Sequence, residues 1–471
     1  MKNNKINGAT RPLFIILIVL IEGFVTVSLQ ILTIRQLIPF TGHSVGVTSI
    51  IIGVFLLTLA YGYQRGGHVN LDYWGKLTKN FAIACPLIGF GLAYPLLELY
   101  FIFSKQFLSA NLYISLLIYL VLITGPTVYL LGQTVPISMN IYRNENQYDS
   151  KVGMIGGKIL HISTIGSFMG SVFTALILMN YFGVAATIII NVILLLFLII
   201  AIQFKTRANF SIIAIQFFLI LIIYKLNIHY ENIVFVKTNH HANYAIEETI
   251  INHVPGRLFK INNSFSSFLD KESNAFNYIE LIKKILFKDL KLNDKEILII
   301  GAGGFSLTAQ GDFDNKVTYL DIDRKLPEIA IPQFTPKLNG QFVSNDARSF
   351  FINNKKKYDV IVSDVYTNMH EIPSHLVTKE YFLQIKSSLN SHGFALFNII
   401  ANPTLNSSYS KRIDNTLRSV FSNCMSIPYQ YHNALTNIIY TCSLENENEL
   451  SIYTDDKNTV ALDLARHPLS E

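Results

Sequence analysis

Side chains that can bind a ligand or move a proton recur in the second half of the chain, at the ends of short apolar runs. Gly301, Gly303 and Gly304 follow "KEILII". Asp321 and Asp323 close "KVTYLDID", Asn345 and Asp346 close "QFVSND", and Asp364 ends "YDVIVSD". An apolar run that breaks into glycine reads as a buried strand entering a turn. Glycine at that point lets the backbone approach a ligand closely. A carboxylate at the end of the next strand is placed to accept both hydroxyls of a ribose. Successive strands that end in polar groups on one edge indicate a nucleoside rather than a pyrophosphate. Asp323 and Asn345 have a plainer alternative, that of capping the segments that follow them. The same alternative fits Asp321 and Asp364 less well.

The elements that must position these groups follow from the pattern around them. "NYAIEETIIN", "GRLFKIN" and "SFSSFLD" read as three short strands of a small antiparallel sheet. "NAFNYIELIKKILF" has apolar residues at helical spacing. Five further strands, "EILIIG", "KVTYLDID", "QFVSND", "YDVIVSDV" and "GFALFNII", alternate with helical or irregular segments, which argues for a doubly wound parallel sheet. "CMSIPYQ" and "NIIYTCS" supply a closing hairpin, with Cys424 and Cys442 at positions that could face each other. A disulfide there would require an oxidising compartment, and two buried free thiols fit the sequence equally well.

The first half is of a different kind. Of 471 residues, 50% are hydrophobic and 15% charged, below the roughly 25% usual for a soluble domain. Seven segments are long enough to span a bilayer, at about 13–34, 45–63, 81–103, 108–131, 157–181, 184–204 and 209–227. The first is too long for a removable signal peptide and has no small-residue cleavage site after it. Gly166 and Gly170 have the small-xxx-small spacing of close helix packing. Glu22, Gln30, Glu98, Lys158 and His161 are costly in hydrocarbon. They suit a transport pathway, a lateral pocket for an amphiphile, or simple bonding between helices. The formal charge of +6 comes with no basic stripe or stacking motif, so nucleic acid is not an expected partner. Lys and Arg instead crowd the loops on the side of the N-terminus, such as Lys2, Arg11, Arg65, Lys76 and Arg143, which places that end in the cytoplasm. An odd number of spans then puts the C-terminal region outside it, although a long domain can override loop charge. Three cysteines exclude a CxxC-type zinc site, and no metal is expected.

From about residue 240 to 400 the chain resembles the spermidine synthase (aminopropyltransferase) family, within the wider class of S-adenosylmethionine-type folds. "FNYIELI" is similar to the family's Tyr-His-Glu helix, with Tyr278 and Glu280 kept and Ile279 in the histidine place. "LDID" resembles its ribose-binding motif, "NDARSFF" its adenine-reading turn, and "YDVIVSDVYTNMHEIPSHLVTKEYF" its catalytic strand and gate loop. "IEGF", "TVP" and "STIGS" resemble the membrane region fused to such domains in multi-pass bacterial proteins. The fold class expected is a membrane α-helical bundle over 1–230 followed by α/β: a small β subdomain with a linking helix over 231–290, then a Rossmann-like, methyltransferase-type sheet over 291–471.

The resemblance implies decarboxylated S-adenosylmethionine, or S-adenosylmethionine itself, as the sulfonium nucleoside. Asp364 would orient the attacking amine and accept its proton, and Tyr278 would fix the amine. Asp321, with Asp323, would hold the ribose, and Asp346, with Asn345, the adenine. Gly301, Gly303 and Gly304 would border the nucleoside's tail, while Glu280 and Tyr366 would contact the acceptor. Two departures stand out. Gly304, followed by Phe305, occupies the place of a loop Asp, and Thr367 that of a gate-loop Asp. Both remove negative charge from a pocket meant for a diamine, so a less cationic acceptor, or transfer of a methyl or other group, stays open. The expected partners are a lipid bilayer and an amine or amphiphilic small molecule, and an oligomer is compatible with the sequence. The alternative is a non-enzymatic, polyamine- or nucleoside-binding or transport-associated membrane protein with a degenerate transferase domain.

Overall fold

The computed structural model describes residues 10–42, 44–107, 111–145, 152–206, 210–310, 314–331, 333–366, 372–432 and 434–444. Its first half is helical, as long apolar runs must be if they are to pair their own backbone groups away from water. Helix α1 spans Thr10–Thr41, α2 Val45–Gly67, α3 Tyr73–Gly91 and α4 Tyr94–Phe107. Leu112–Arg143, Val152–Phe182, Val184–Lys205 and Phe210–Val234 complete the bundle. Six helices are long and apolar enough to cross a membrane, and α3 with α4 adds a seventh crossing only as a pair bent by 68°. The straight span expected over 81–103 is corrected by that bend. Pro95 lacks the N–H that a continuous helix would need, and its ring would clash with the carbonyl of Gly91.

Close packing explains the spaced glycines. A Cβ on Gly166 would lie 2.2 Å from the Leu20 carbonyl oxygen of α1, and one on Gly170 2.2 Å from that of Phe24. The polar residues of the helices have mixed settings. Glu22 is buried and accepts a hydrogen bond from Thr26 Oγ1 at 2.7 Å within its own helix. Glu98 accepts one from Tyr230 across the bundle at 3.2 Å. Gln30 is half-buried, whereas Lys158 and His161 lie on exposed faces.

Eleven strands are described after the bundle. The small sheet is antiparallel, in the order β1 (Lys237–Thr238), β2 (Asn243–Ile251), β3 (Val254–Ile261) and β4 (Ser264–Asp270). The large sheet contains β5 (Glu296–Ile300), β6 (Lys316–Asp321), β7 (Gln341–Ser344), β8 (Tyr358–Ser363), β9 (Leu389–Ala401), β10 (Asn423–Pro428) and β11 (Thr436–Ser443). Its order is β7-β6-β5-β8-β9-β11-β10. Strands β5 to β9 are parallel, and β11 runs antiparallel between β9 and β10. This is the Rossmann-like, methyltransferase-type arrangement, and its order reverses between β5 and β8, where such sheets bind ligands. At the far edge Cys424 and Cys442 are direct register partners on β10 and β11, joined as a disulfide.

The bundle and the sheets meet at the end of α1 opposite its N-terminus. Arg35 Nε donates to the Asn239 carbonyl at 2.8 Å and Nη2 to Asn243 Oδ1 at 2.7 Å. Asn263, at the β3–β4 turn, donates to the Pro39 carbonyl at 2.9 Å and accepts from Tyr94 at 2.9 Å. Lys325 Nζ, in the loop after β6, donates to the Asn180 carbonyl at 2.6 Å.

Candidate active site

The carboxyl ends of β5, β6 and β8 and the turn after β7 face one cavity of about 950 Å³, covered by β4 and floored by the bundle. Gly301, Gly303, Asp321, Asn345, Asp346, Asp364, Tyr278 and Tyr366 all line it. Gly301 has a φ of +87° and sits so close to the end of β8 that a Cβ would lie 2.1 Å from the Asp364 carbonyl oxygen. Any side chain there would force β5 and β8 apart at the switch point.

Asp321 is oriented by backbone. Its Oδ2 accepts from the Ala302 N–H at 3.0 Å, and Oδ1 from the Asp323 N–H at 3.0 Å. Burial pushes its carboxyl above the ordinary range against the pull of those amides. Asp346 caps the short helix Ala347–Asn353, accepting from the Ser349 N–H at 2.9 Å, with His375 Nε2 3.8 Å from its second oxygen. Asn345 fixes its loop through its own N–H, which donates to the Asp321 carbonyl at 3.0 Å. The residue that caps this segment is thus Asp346 rather than Asn345.

Asp364 is held by side chains. Tyr278 donates to Oδ2 at 3.2 Å and Asn398 Nδ2 to Oδ1 at 2.8 Å. Asn398 is buried in the middle of β9, and its own Oδ1 accepts from Asn437 on β11 at 3.0 Å. Burial raises the Asp364 carboxyl, and the two donors pull it partly back. A carboxylate tuned upward within a cavity is suited to take a proton near neutral pH. The Tyr366 hydroxyl is fully used, donating to the Asn398 carbonyl at 3.0 Å and accepting from the Ile400 N–H at 2.7 Å, so only its ring serves the cavity wall.

Three residues expected at the site lie elsewhere. Asp323 turns away into the junction with the bundle, where Oδ2 accepts from Asn239 at 2.5 Å and Tyr244 at 2.6 Å. Its Oδ1 accepts from the Lys325 N–H at 2.9 Å, which is the capping alternative. Gly304 packs rather than binds: its N–H donates to Ser267 Oγ at 2.9 Å, and a Cβ would strike Phe334 at 2.3 Å. Glu280 is engaged by Lys283 and by the Ala275 N–H, both at 2.7 Å, away from the cavity. Phe305, next to Gly304, is buried edge-on to Tyr319, so this position of the loop carries no polar group to the ligand side. Thr367 falls outside the described residues.

Sequence reasoning missed four contributors. Asn398 is a lone amide in the apolar run "FALFNIIA", a signal that could have been read as a buried polar group needing a partner. Asn437 follows from it through the β9–β11 register. His240 and His241 also line the cavity, but only the docking of the small sheet brings them there.

Comparisons with known proteins match part of the chain. Residues 275–454 match the family model described as the spermine/spermidine synthase domain. The chain is 26% identical over 132 residues to a probable polyamine aminopropyl transferase of Bifidobacterium longum, covering 28% of this chain and 29% of that protein. It is 31% identical over 166 residues to a polyamine aminopropyltransferase of Vibrio vulnificus, covering 33% of this chain and 54% of that one. The chain thus spans only about a third to a half of these curated relatives. A solved structure of a probable spermidine synthase from Corynebacterium glutamicum aligns with a TM-score of 0.37 at 20% identity, over 47% of this chain and 83% of that one. The C-terminal half of this chain therefore carries a spermidine synthase-like domain.

Proposed function

We propose that the protein transfers an aminopropyl or related group from a sulfonium nucleoside to an amine, at the cavity between β5 and β8. The observation that carries this reading is Asp364, a carboxylate with both oxygens bonded to side-chain donors, at the switch point and beside a glycine turn that approaches a ligand closely. The residues fit the nucleoside. Asp321 is oriented for a ribose diol, Asp346 and Asn345 stand where a base edge would lie, and the turn at Gly301 and Gly303 admits backbone approach. In the reaction the amine nitrogen forms a bond to the methylene carbon beside sulfur. The carbon–sulfur bond breaks, its electron pair stays on sulfur as a neutral thioether, and Asp364 takes the proton released by the amine. Positioning and deprotonation are the main tasks, because a sulfonium is already a good leaving group.

Gly304 leaves the donor tail without a loop carboxylate, so the assay includes both candidate nucleosides. The purified full chain is incubated with decarboxylated S-adenosylmethionine or S-adenosylmethionine and an amine panel, and the released thioether nucleoside is followed by chromatography. Methylthioadenosine from the first donor supports the reading. No nucleoside product from either donor overturns it.

The same reading puts the bundle in a bilayer, with the start of α1 and the sheets on opposite faces. Loop charges favour a cytoplasmic N-terminus, and the Cys424–Cys442 disulfide favours an oxidising compartment for the sheet. Together they support an extracytoplasmic pocket, to which a donor made in the cytoplasm must be delivered. Paired C-terminal reporter fusions, each active on one side only, test this. Activity of the cytoplasmic reporter alone overturns it.

A further inference from the structure

The sheet domain does not close the cavity by itself. Ile34 and Ile38 of α1 and Val45, Thr48 and Ser49 of α2 line it too, and both helices are long and apolar enough to cross a bilayer. Strand β4 links this wall to the glycine turn. Just before it, Asn263 is bonded to Pro39 of α1, and three residues after its first, Ser267 is bonded to Gly304. At the usual rise of a strand these points are about 13 Å apart. All of Ser264, Phe265, Ser266 and Ser267 face the space between.

Charge and apolar surface are unevenly distributed over that distance. Among the described residues, the carboxylates in the lining are Asp321, Asp346 and Asp364, and no Lys or Arg joins them. Asp321 and Asp346 are committed to backbone N–H groups at the nucleoside end. Among the described residues Asp364 alone then remains for an acceptor, and none of them offers a second counter-charge to the far ammonium of a short diamine. Toward the bundle the lining turns to Ile34, Ile38, Val45, Ile261 and Phe265. Burial and its neighbour His240 hold the His241 imidazole below its ordinary pKa, which favours the neutral form as a cation enters.

The apolar wall also continues outward. Val45, Ser49, Ile52 and Leu56 recur at helical spacing on one exposed face of α2, with 82%, 38% and 61% exposure for Val45, Ile52 and Leu56. A Cβ on Gly53, on the same face, would meet nothing within 4 Å. In a bilayer this face is turned to lipid, and it leads directly to the cavity lip. Building on the transferase reading, we infer that the acceptor is a primary amine carried on a long apolar chain, which enters sideways from the bilayer past Ile38 and Val45. Its amine reaches Asp364 while the chain stays against α1 and α2.

The test uses the full chain in lipid nanodiscs with decarboxylated S-adenosylmethionine, and compares butylamine, putrescine and dodecylamine by thioether release. Each methylene that the wall buries is worth about three- to fourfold in kcat/KM. Dodecylamine should exceed both short amines at least tenfold. Long amines also concentrate in lipid on their own, so the decisive readout is a wall variant, Ile38→Asp with Val45→Asp. It should cut the dodecylamine-to-butylamine ratio at least fivefold, with nucleoside retention checking that the variant is folded. Putrescine or butylamine used as well as dodecylamine by the unaltered protein overturns the inference and leaves the transferase reading standing. A ratio unmoved in the folded variant overturns it as well. Thioether release from no amine, with S-adenosylmethionine tried as donor as well, removes the transferase reading, and the inference with it.

Discussion

At one end of the cavity Asp321 and Asp346 are held by backbone N–H groups; at the other, Asp364 is held by Tyr278 and Asn398. The first arrangement is fixed by strand ends and a helix cap, and it survives any substitution that leaves those elements intact. The second depends on three side chains from β9, β11 and the helix Asn277–Lys283, so one substitution can change it without disturbing the fold. On the proposed reading the nucleoside end is built for constancy and the acceptor end for adjustment. That contrast suits the proposed reaction, in which the nucleoside is the constant partner and the acceptor the open one.

The contrast can be broken or sharpened by substitution. Asp364→Asn keeps the shape but removes the proton acceptor; turnover should fall by about 10²- to 10⁴-fold, the usual range for a general base, with nucleoside affinity nearly unchanged. A matching loss of affinity, measured by calorimetry, would mean that the two ends are one site. Asp321→Ala should do the reverse. Losing charge-assisted hydrogen bonds of about 1.5–3 kcal/mol weakens nucleoside binding by roughly ten- to a hundredfold or more.

Asn398→Ala acts more gently. Its amide stabilises the ionised form of Asp364, so removing it raises that carboxyl further above its usual value. Activity needs the ionised form and is lost as pH falls through the carboxyl's pKa. The acid limb of the pH–rate profile should then move to higher pH, and an unmoved limb would remove Asp364 as the titrating base. Smallest for activity is Cys424→Ser with Cys442→Ser, at the sheet edge. A loop of this length contributes about 3 kcal/mol of stability, visible as a lowered melting temperature, while turnover per folded molecule stays the same.

Much of this architecture can be read from sequence where the signal is local. Alternation and turn residues give the strands of both sheets, and strand ends give the carboxylates that line the cavity. Gly304 and Asp323 show the limit: "GAGG" and "DID" fix which residues reach the edge, but not which face Ser267 or Asn239 will occupy. The bend at Gly91 carried its own signal in Pro95, hidden by the apolar residues on either side. The wall formed by Ile34, Ile38 and Val45 left no trace in the pattern. It exists only because β3 and β4 dock on α1, a contact between residues more than two hundred positions apart.

Asn239 accepts from Arg35 of α1 through its carbonyl and donates to Asp323 through its amide, and the Asp323 N–H in turn holds Asp321. On the proposed reading, with α1 in a bilayer and a ribose on Asp321, helix tilt and ribose affinity are tied to one short chain of bonds. By reciprocity, whatever factor the docked position of α1 adds to nucleoside affinity, the bound nucleoside returns to the docking. A bilayer too thin or too thick for α1 makes it tilt to match. In such a protein the thickness of the surrounding lipid would act as a dissociation constant's hidden variable.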